Sequence, residues 1–289
     1  MAQTRRALAA LSLAGGALAG WGLFESQWVE THEVAVPVAG LPPELVGLRI
    51  LHLSDLHAGM PSLNGRATRK GVAYGVEQQP DMVVITGDLI THRRGLEPAL
   101  AQLARLSPPL GMYASLGNHD TGDTRDPFSR AVIPDDWSPA PVQLLRDRSV
   151  TVEARGRRIE VAGMDPDTWP KGAPRPQGLF RDPDAFRILL AHYPDVIDDV
   201  PPGSCSLVLV GHLHGGQICL PLPGGRLRLS HTQWPYLDGV HHVGDTTLVV
   251  SRGIGTTLVP FRLLARPEAA LLRLEADVTP APAPPPAAA

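Results

Sequence analysis

Five short apolar runs along the chain end in polar chemistry. Leu48 to Leu53 leads into Ser54-Asp55, Met82 to Ile85 into Gly87-Asp88, and Met112 to Leu116 into Gly117-Asn118. Further on, Ile188 to Ala191 leads into His192, and Leu207 to Val210 into Gly211-His212. Each run is too short for a typical helix, and runs of this length bounded by Gly, Pro and Asp predict strands buried on both faces. Between the first of them lie two helix-like stretches, Ala67 to Gln79 and Leu96 to Leu106. This alternation predicts an α/β layered fold with parallel strands. In such sheets functional groups gather on the loops beyond the carboxyl ends of the strands, and all five polar clusters lie there. The interval from Thr121 to Gln177 is rich in Pro, Asp, Arg and Trp. It predicts long loops around one short strand near Arg158 to Ala162, and long loops often carry function.

Composition adds little to this picture and excludes some alternatives. With 289 residues, 43% of them apolar and 19% charged, the body is expected to be an ordinary globular domain. A net charge of -3 leaves no broad basic footprint, so no nucleic-acid partner is expected. Cys205 and Cys219 match no zinc-ribbon or redox spacing and read as isolated thiols.

The two ends read differently from the body. No charge occurs from Ala7 to Leu23, and Arg5 and Arg6 precede that stretch, which is the layout of an export signal. Thr4 to Leu8 resembles a twin-arginine signal, and Ala17-Leu18-Ala19 offers a small-x-small cleavage site. Gly22, Leu23 and Phe24 would instead extend the run into an uncleaved anchor, and the bland alternative is a buried N-terminal helix. Residues 1–40 are therefore expected to be a signal or membrane anchor with its linker, residues 41–276 the domain, and residues 277–289, nearly all Pro and Ala, a disordered tail. The expected location is the membrane surface or the exported pool.

In chain order the polar clusters are Asp55-x-His57, Gly87-Asp88, Gly117-Asn118-His119-Asp120, His192 and Gly211-His212-Leu213-His214. Singly each is weak, because Asp-x-His is more often a cap, Gly-Asp a turn and a loop histidine a solvated one. Together, five strand ends deliver carboxylate, amide or imidazole. Two divalent ions about 3.5–4 Å apart hold an attacking hydroxide between them and clamp the ester oxygens. One bridging carboxylate lowers their mutual repulsion, while imidazoles and a neutral amide complete the shells without repelling a phosphate. Mixed nitrogen and oxygen ligands suit manganese, iron or zinc better than magnesium or calcium.

The order D-x-H, G-D, G-N-H-D, H, G-H-x-H resembles the calcineurin-like metallophosphoesterase superfamily. Leu41 to Leu45, Ser251 to Thr256, Val259-Pro260-Phe261-Arg262-Leu263 and Pro267-Glu268 resemble its exported or membrane-associated bacterial phosphodiesterase-like subfamily. The resemblance spans roughly Leu41 to Leu274. It implies a four-layer α/β sandwich, two packed mixed β-sheets flanked by helices, and hydrolysis of a phosphodiester or pyrophosphate bond by a metal-bridging hydroxide. Some relatives in this subfamily act on nucleotide-linked lipids.

Carried over by position, the resemblance implies that Asp55, His57, Asp88 and His214 bind a first metal ion. Asp88 bridges to a second, completed by Asn118, His192 and His212, and His119 is the general acid. Purple acid phosphatases have tyrosine where this chain has Thr91, protein phosphatases have a G-D-x-x-D-R-G run that is missing here, and lipid A pathway hydrolases have arginine where this chain has His119. A broad-specificity phosphatase or phosphodiesterase is the alternative reading. A non-catalytic interaction module on the same fold would be expected to have lost His119 or a ligand. Asp120 reads as an orienter of His119 or as a cap, and Arg252 as a phosphate contact or a structural arginine. Trp137, Trp169, His231, Trp234, Tyr236, His241 and His242 read equally as pocket wall or surface loop.

Overall fold

The structure, a computed structural model, describes residues 2–277 except 125, 128, 130–132, 134–140, 170–174 and 231–233. The first half contains α1 (Ala2–Glu25), β1 (Glu30–Val38), β2 (Arg49–Leu53), α2 (Asn64–Gln78), β3 (Met82–Thr86), α3 (Leu96–Leu103), β4 (Met112–Ser115), α4 (Asn118–Thr121) and β5 (Gln143–Leu144). The second contains β6 (Arg148–Ala154), β7 (Arg157–Gly163), β8 (Phe186–Leu190), β9 (Leu207–Val210), β10 (Cys219–Leu222), β11 (Gly225–Arg228), β12 (Gly239–Val243), β13 (Thr246–Val250) and β14 (Glu268–Ala276). They build two six-stranded mixed sheets, in the orders β1-β14-β2-β3-β4-β5 and β12-β13-β9-β8-β7-β6, with β10-β11 as a separate hairpin.

The apolar runs are continuous because each strand feeds two cores at once. Ile50 of β2, Met82 and Val84 of β3, Ile188 and Leu190 of β8, and Leu207 and Leu209 of β9 meet between the sheets. Their alternate neighbours Leu51, Leu53, Val83 and Ile85 pack outward with Ala67 and Val72 of α2 and Leu103 of α3. On the second sheet Leu189, Val208 and Val210 pack outward with Val196 and Ile197 of the 3-10 helix Pro194–Asp199. Period-2 alternation thus becomes an unbroken hydrophobic run when both faces are covered.

The all-parallel reading holds for β2-β3-β4-β5 and for β7-β8-β9-β13. It fails at β14, which inserts antiparallel beside β2, and at the antiparallel pairs β6-β7 and β12-β13. The strand near Arg158 is β7, and its partner β6 returns through an Arg155-Gly156 turn with both residues at positive φ. A two-residue turn of that geometry matches the twist of a hairpin.

Residues 30–38 are not linker. They form β1, paired over nine residues with β14, so the sheet begins before Leu41. The N-terminal helix α1 is not buried either, because the side chains from Ser12 to Trp21 are all exposed. Only its end is tied down, where Arg262 N–H donates to Gly22 O and Ala265 N–H to Glu25 Oε1. Among the described residues, no helix is long and apolar enough to cross a membrane. The expected tail beyond Asp277, Trp137 and His231 lie outside the described residues.

Candidate metal centre

Each strand of interest ends at one edge, and the residue that follows is forced into an unusual backbone geometry. Asp55, His57, Asp88, His212 and His214 have φ of 53, 46, 52, 73 and 51°. Non-glycine residues there store about 1–3 kcal/mol each and persist where surrounding bonds over-determine them. Those bonds are present: Asp55 N–H donates to Gly87 O at 3.0 Å, His57 N–H to Asp88 O at 2.9 Å, and His212 N–H to Asp55 Oδ2 at 3.1 Å. Two motif glycines make room for the crossing. A Cβ on Gly117 would strike the Asp88 carboxylate, and one on Gly211 would strike Ser54 Oγ and Asp55 Oδ2. This accounts for the glycine opening both G-N-H and G-H-x-H.

The eight sequence-predicted residues come together from both sheets. His57 Nε2 lies 3.1 Å from His214 Nε2 and 3.4 Å from Asp88 Oδ2, and Asp55 Oδ1 is 3.3 Å from His214 Nε2. On the other side His192 Nε2 lies 3.3 Å from Asp88 Oδ2, 3.2 Å from Asn118 Oδ1 and 3.2 Å from His212 Nδ1. Asp88 Oδ2 is therefore common to two clusters of ligand-capable atoms. In three overlapping groups, Asp55/His57/His214, His57/Asp88/His119 and Asp55/Asp88/His192, one donor atom per residue lies within 4.8 Å of the others.

The charge pattern of the cluster fits a pair of cations. Burial, with His119 beside it, holds the His57 ring well below its ordinary pKa, so it stays neutral, the form that ligates a metal. Burial would lift the Asp55 and Asp88 carboxyls, but the surrounding histidines, His214 foremost for Asp55 and His192 for Asp88, hold both well below the usual range. Burial likewise opposes a charge on His192, yet Asp88 and Asp55 lift it to about 9. Positive charge is thus strongly favoured where these atoms converge. The far ring nitrogens are anchored as supporting contacts should be, His192 Nδ1 donating to Thr86 O at 2.9 Å and His57 Nδ1 meeting Thr91 Oγ1 at 2.9 Å.

His119 sits against this cluster, its ring edge-on to His57 with centroids 4.6 Å apart. Asp120 does not orient it. Its carboxylate accepts from the N–H groups of Leu89, Ile90 and Gly117, which is the capping alternative. The carboxylate near His119 is Asp126, whose Oδ2 is 3.9 Å from Nδ1 and accepts from Thr257 Oγ1 at 3.0 Å. Thr124 and Thr257 hydroxyls approach His119 Nε2 at 3.3 and 3.4 Å. Sequence reading passed over Asp126 because it lies in the polar 121–177 interval with no pattern to single it out. Thr257, by contrast, directly follows the S-R-G-x-G-T segment.

Arg252 proves structural. Its guanidinium bonds Glu268 Oε2 through Nε at 2.9 Å and Glu30 Oε2 through Nη2 at 3.0 Å, so its charge is already matched by two carboxylates. Trp234 and Tyr193 lie edge-on to the His212 ring, at 6.5 and 4.6 Å between centroids. Pro194, Ile197, Trp234 and Tyr236 line a cavity of about 230 Å³ on that side. Trp169 reaches Tyr193 at 6.1 Å, whereas His241 packs on Tyr236 and His242 meets Thr247. Cys205 and Cys219 are free and buried.

The arginine of the V-P-x-R-L stretch has the most demanding environment. Arg262 is fully buried and donates to the carbonyls of Gly253, Gly255, His214 and Ala265, with Nη2 3.2 Å from His214 Nδ1. Burial pulls its pKa down to about 9, against the opposing charge of Asp55. Arg262→Met would leave these carbonyls buried without donors. It is expected to cost about 3 kcal/mol or more, read as a lower denaturant midpoint at unchanged slope. Arg262→Lys should recover only part, since one ammonium cannot serve four separated carbonyls. A midpoint near wild type for the Met variant would refute the assignment.

Residues 48–216 match the calcineurin-like phosphoesterase family. The chain is 32% identical over 280 residues to the metallophosphoesterase YkuE of Bacillus subtilis, covering 93% of this chain and 94% of that one. It is 30% identical over 235 residues to the phosphodiesterase YaeI of Escherichia coli, covering 78% and 82%. To the UDP-2,3-diacylglucosamine pyrophosphatase LpxG of Chlamydia muridarum it is 29% identical over 225 residues, covering 62% and 67%.

Proposed function

The chain belongs to the calcineurin-like phosphoesterase family, and from that premise we propose that it cleaves a phosphodiester or pyrophosphate bond in a substrate presented at a membrane. It is a metal-dependent phosphoric ester hydrolase whose cofactor is a pair of divalent metal ions. In our reading Asp55, His57, Asp88 and His214 hold one ion, and Asp88, Asn118, His192 and His212 hold the other. When bound, such a pair supplies Lewis acidity to the ester oxygens and makes water nucleophilic at neutral pH.

The chain's own residues do the rest. Asp88 serves both clusters through one oxygen while its other, Oδ1, accepts the backbone N–H of His119 at 2.9 Å and so is held in register. Thr91 and the Thr86 carbonyl fix the rings of His57 and His192. His119, steadied by Thr124 and Thr257, gives a ring proton to the leaving oxygen.

The observation that carries the diester reading is the cavity beside His212. A monoester carries one organic substituent on its phosphoryl group, whereas a diester or pyrophosphate carries a second, and a wall beside the cluster suits that second substituent. Trp234, Tyr236 and Ile197 provide an apolar and aromatic wall, and the acidic Asp195 and Asp198 line the same cavity. Membrane presentation is supported by α1, whose side chains are exposed from Ser12 to Trp21 and uncharged from Ala7 to Phe24, with Arg5 and Arg6 near its start. A relative named for a nucleotide-linked lipid points the same way by analogy alone.

The test compares kcat/KM for a UDP-linked diacyl sugar, the same nucleotide sugar without acyl chains, and a plain aryl phosphodiester. Acyl packing is expected to favour the lipid by about 10-fold or more. Equal values for the first two would remove the lipid and leave a broad-specificity phosphodiesterase. Preference for an aryl phosphomonoester would remove the diester as well.

A further inference from the structure

The β10-β11 hairpin is built inside out. Its register places Leu220 opposite Leu227 and Leu222 opposite Gly225, so these positions share one face, while Cys219 and Arg228, and Pro221 and Arg226, share the other. The arginine face turns inward: Arg226 reaches Leu264 O and Asp238, and Arg228 reaches Trp234 O. The leucine face turns outward, with Leu220, Leu222, Leu227 and the following Leu229 exposed by 40, 50, 45 and 56%. A hairpin that spends its polar face on the protein and its apolar face on solvent is made to be covered.

A neighbouring element shows what covers it. From Ser12 to Trp21 the α1 side chains are exposed over nearly three turns, so the helix is bare on every side. A docking protein covers one side of a helix, whereas lipid can wrap it. The end of α1 and the hairpin turn stand side by side, since Trp21, Trp28, Gly225, Arg226, Leu264 and Arg266 line one cavity of about 550 Å³. Arg266 lies over the Trp28 ring at 4.0 Å, the pairing of amphipathic ring and cation that suits a headgroup layer.

The charge pattern agrees. In a chain of net charge -3, Arg5 and Arg6 are exposed on α1, and Arg226 and Arg266 line the cavity at its end. Glu25, the carboxylate that lines the same cavity, is buried and accepts from Trp21 Nε1 and Ala265 N–H.

We propose that the leucine face of the β10-β11 hairpin, together with Trp21 of α1 and Trp28 just beyond it, is a docking surface that seats the protein on an anionic lipid bilayer. The hairpin follows the G-H-x-H segment directly. Gln217 just before it bonds the carbonyls of Thr257 and Val259, and Thr257 Oγ1 is 3.4 Å from His119 Nε2. Seating therefore brings the catalytic cluster close to the lipid surface. The inference goes beyond the substrate assignment and stands without it, because seating and turnover are read separately.

The test uses the full chain carrying an environment-sensitive fluorophore on Leu222→Cys, or on Asp184→Cys as control, a side chain 81% exposed just before β8. The two native cysteines are buried and stay unlabelled. With vesicles of phosphatidylcholine and phosphatidylglycerol, the probe at 222 is expected to shift to the blue and to be quenched by doxyl-labelled acyl chains, and the probe at 184 to do neither. In the unlabelled chain, Leu222→Gln with Leu227→Gln should raise the vesicle Kd by about 10-fold or more, with turnover of a soluble aryl phosphodiester unchanged. Failure to bind vesicles, an unshifted probe at 222, or an unaltered Kd would overturn the proposal. So would a dimer in sedimentation that the paired Gln substitutions dissolve, since a second copy would then be the cover.

Discussion

Asp88→Asn is expected to strip metal from both clusters while leaving the fold in place. The amide keeps the shape of the carboxylate, and its oxygen can still accept the backbone N–H of His119 that Asp88 Oδ1 now accepts at 2.9 Å. Its NH2 then occupies the position of Oδ2, 3.4 Å from His57 Nε2 and 3.3 Å from His192 Nε2. Protons and no charge stand where two clusters shared an anionic oxygen. Loss of a residue that merely supports a ligand costs about 10–100-fold in metal affinity, and loss of a shared ligand should exceed that. Elemental analysis of protein purified without chelator should find more than one equivalent of Mn, Fe or Zn in the wild type and close to none in the variant. Catalysis should fall by about 10³-fold or more, since the cation pair accounts for several kcal/mol of transition-state stabilisation. His214→Ala is the contrast: it touches only the Asp55/His57 side and should retain about half of the metal. Full occupancy in the Asp88 variant would show that the carboxylate is not shared.

His119→Ala is expected to reduce kcat by about 10²–10⁴-fold on substrates with a poor leaving group. The ring touches the cluster only edge-on through His57, and its other neighbours are the Thr124 and Thr257 hydroxyls and the Asp126 carboxylate. Metal content should therefore stay at the wild-type level. The diagnostic is the leaving group. A nitrophenolate departs without a proton, so the loss on an activated aryl ester should shrink towards unity, while that on an alkyl ester stays large. Equal losses on both would mean that His119 positions substrate and does not donate the proton.

The strands that carry the centre were legible in the sequence because burial on both faces makes a run conspicuous. Ile50 and Leu51, or Leu207 and Val208, face opposite cores, so adjacent positions are apolar instead of alternating with polar ones. The residue types of the site were legible for a chemical reason, since a two-metal centre tolerates few donors and each sits at a strand's carboxyl end. Other elements carried no such mark. β1 reads Glu-Thr-His-Glu-Val-Ala-Val-Pro-Val and is half exposed, so its pattern does not separate it from the segment before the domain. Its partner β14 lies more than two hundred residues away, and their nine-residue register is set by packing between them and not by either period. The β6 strand is likewise half exposed and sits in a polar interval, so no apolar run marks it.

At the level of single residues, the sequence by itself determined which polar side chains stand at the strand ends that converge in the structure. Local pattern encodes burial, and coordination chemistry restricts the donors. Only the tertiary structure decided that Asp88 Oδ2 faces both clusters, that Asp120 caps backbone while Asp126 stands near His119, and that Arg252 is spent on Glu30 and Glu268 while Arg262 holds the His214 loop. Each of these is a contact between segments far apart in the chain. A carboxylate or guanidinium has the same local propensity whichever partner it meets, so its partner is settled only when the two sheets close on each other.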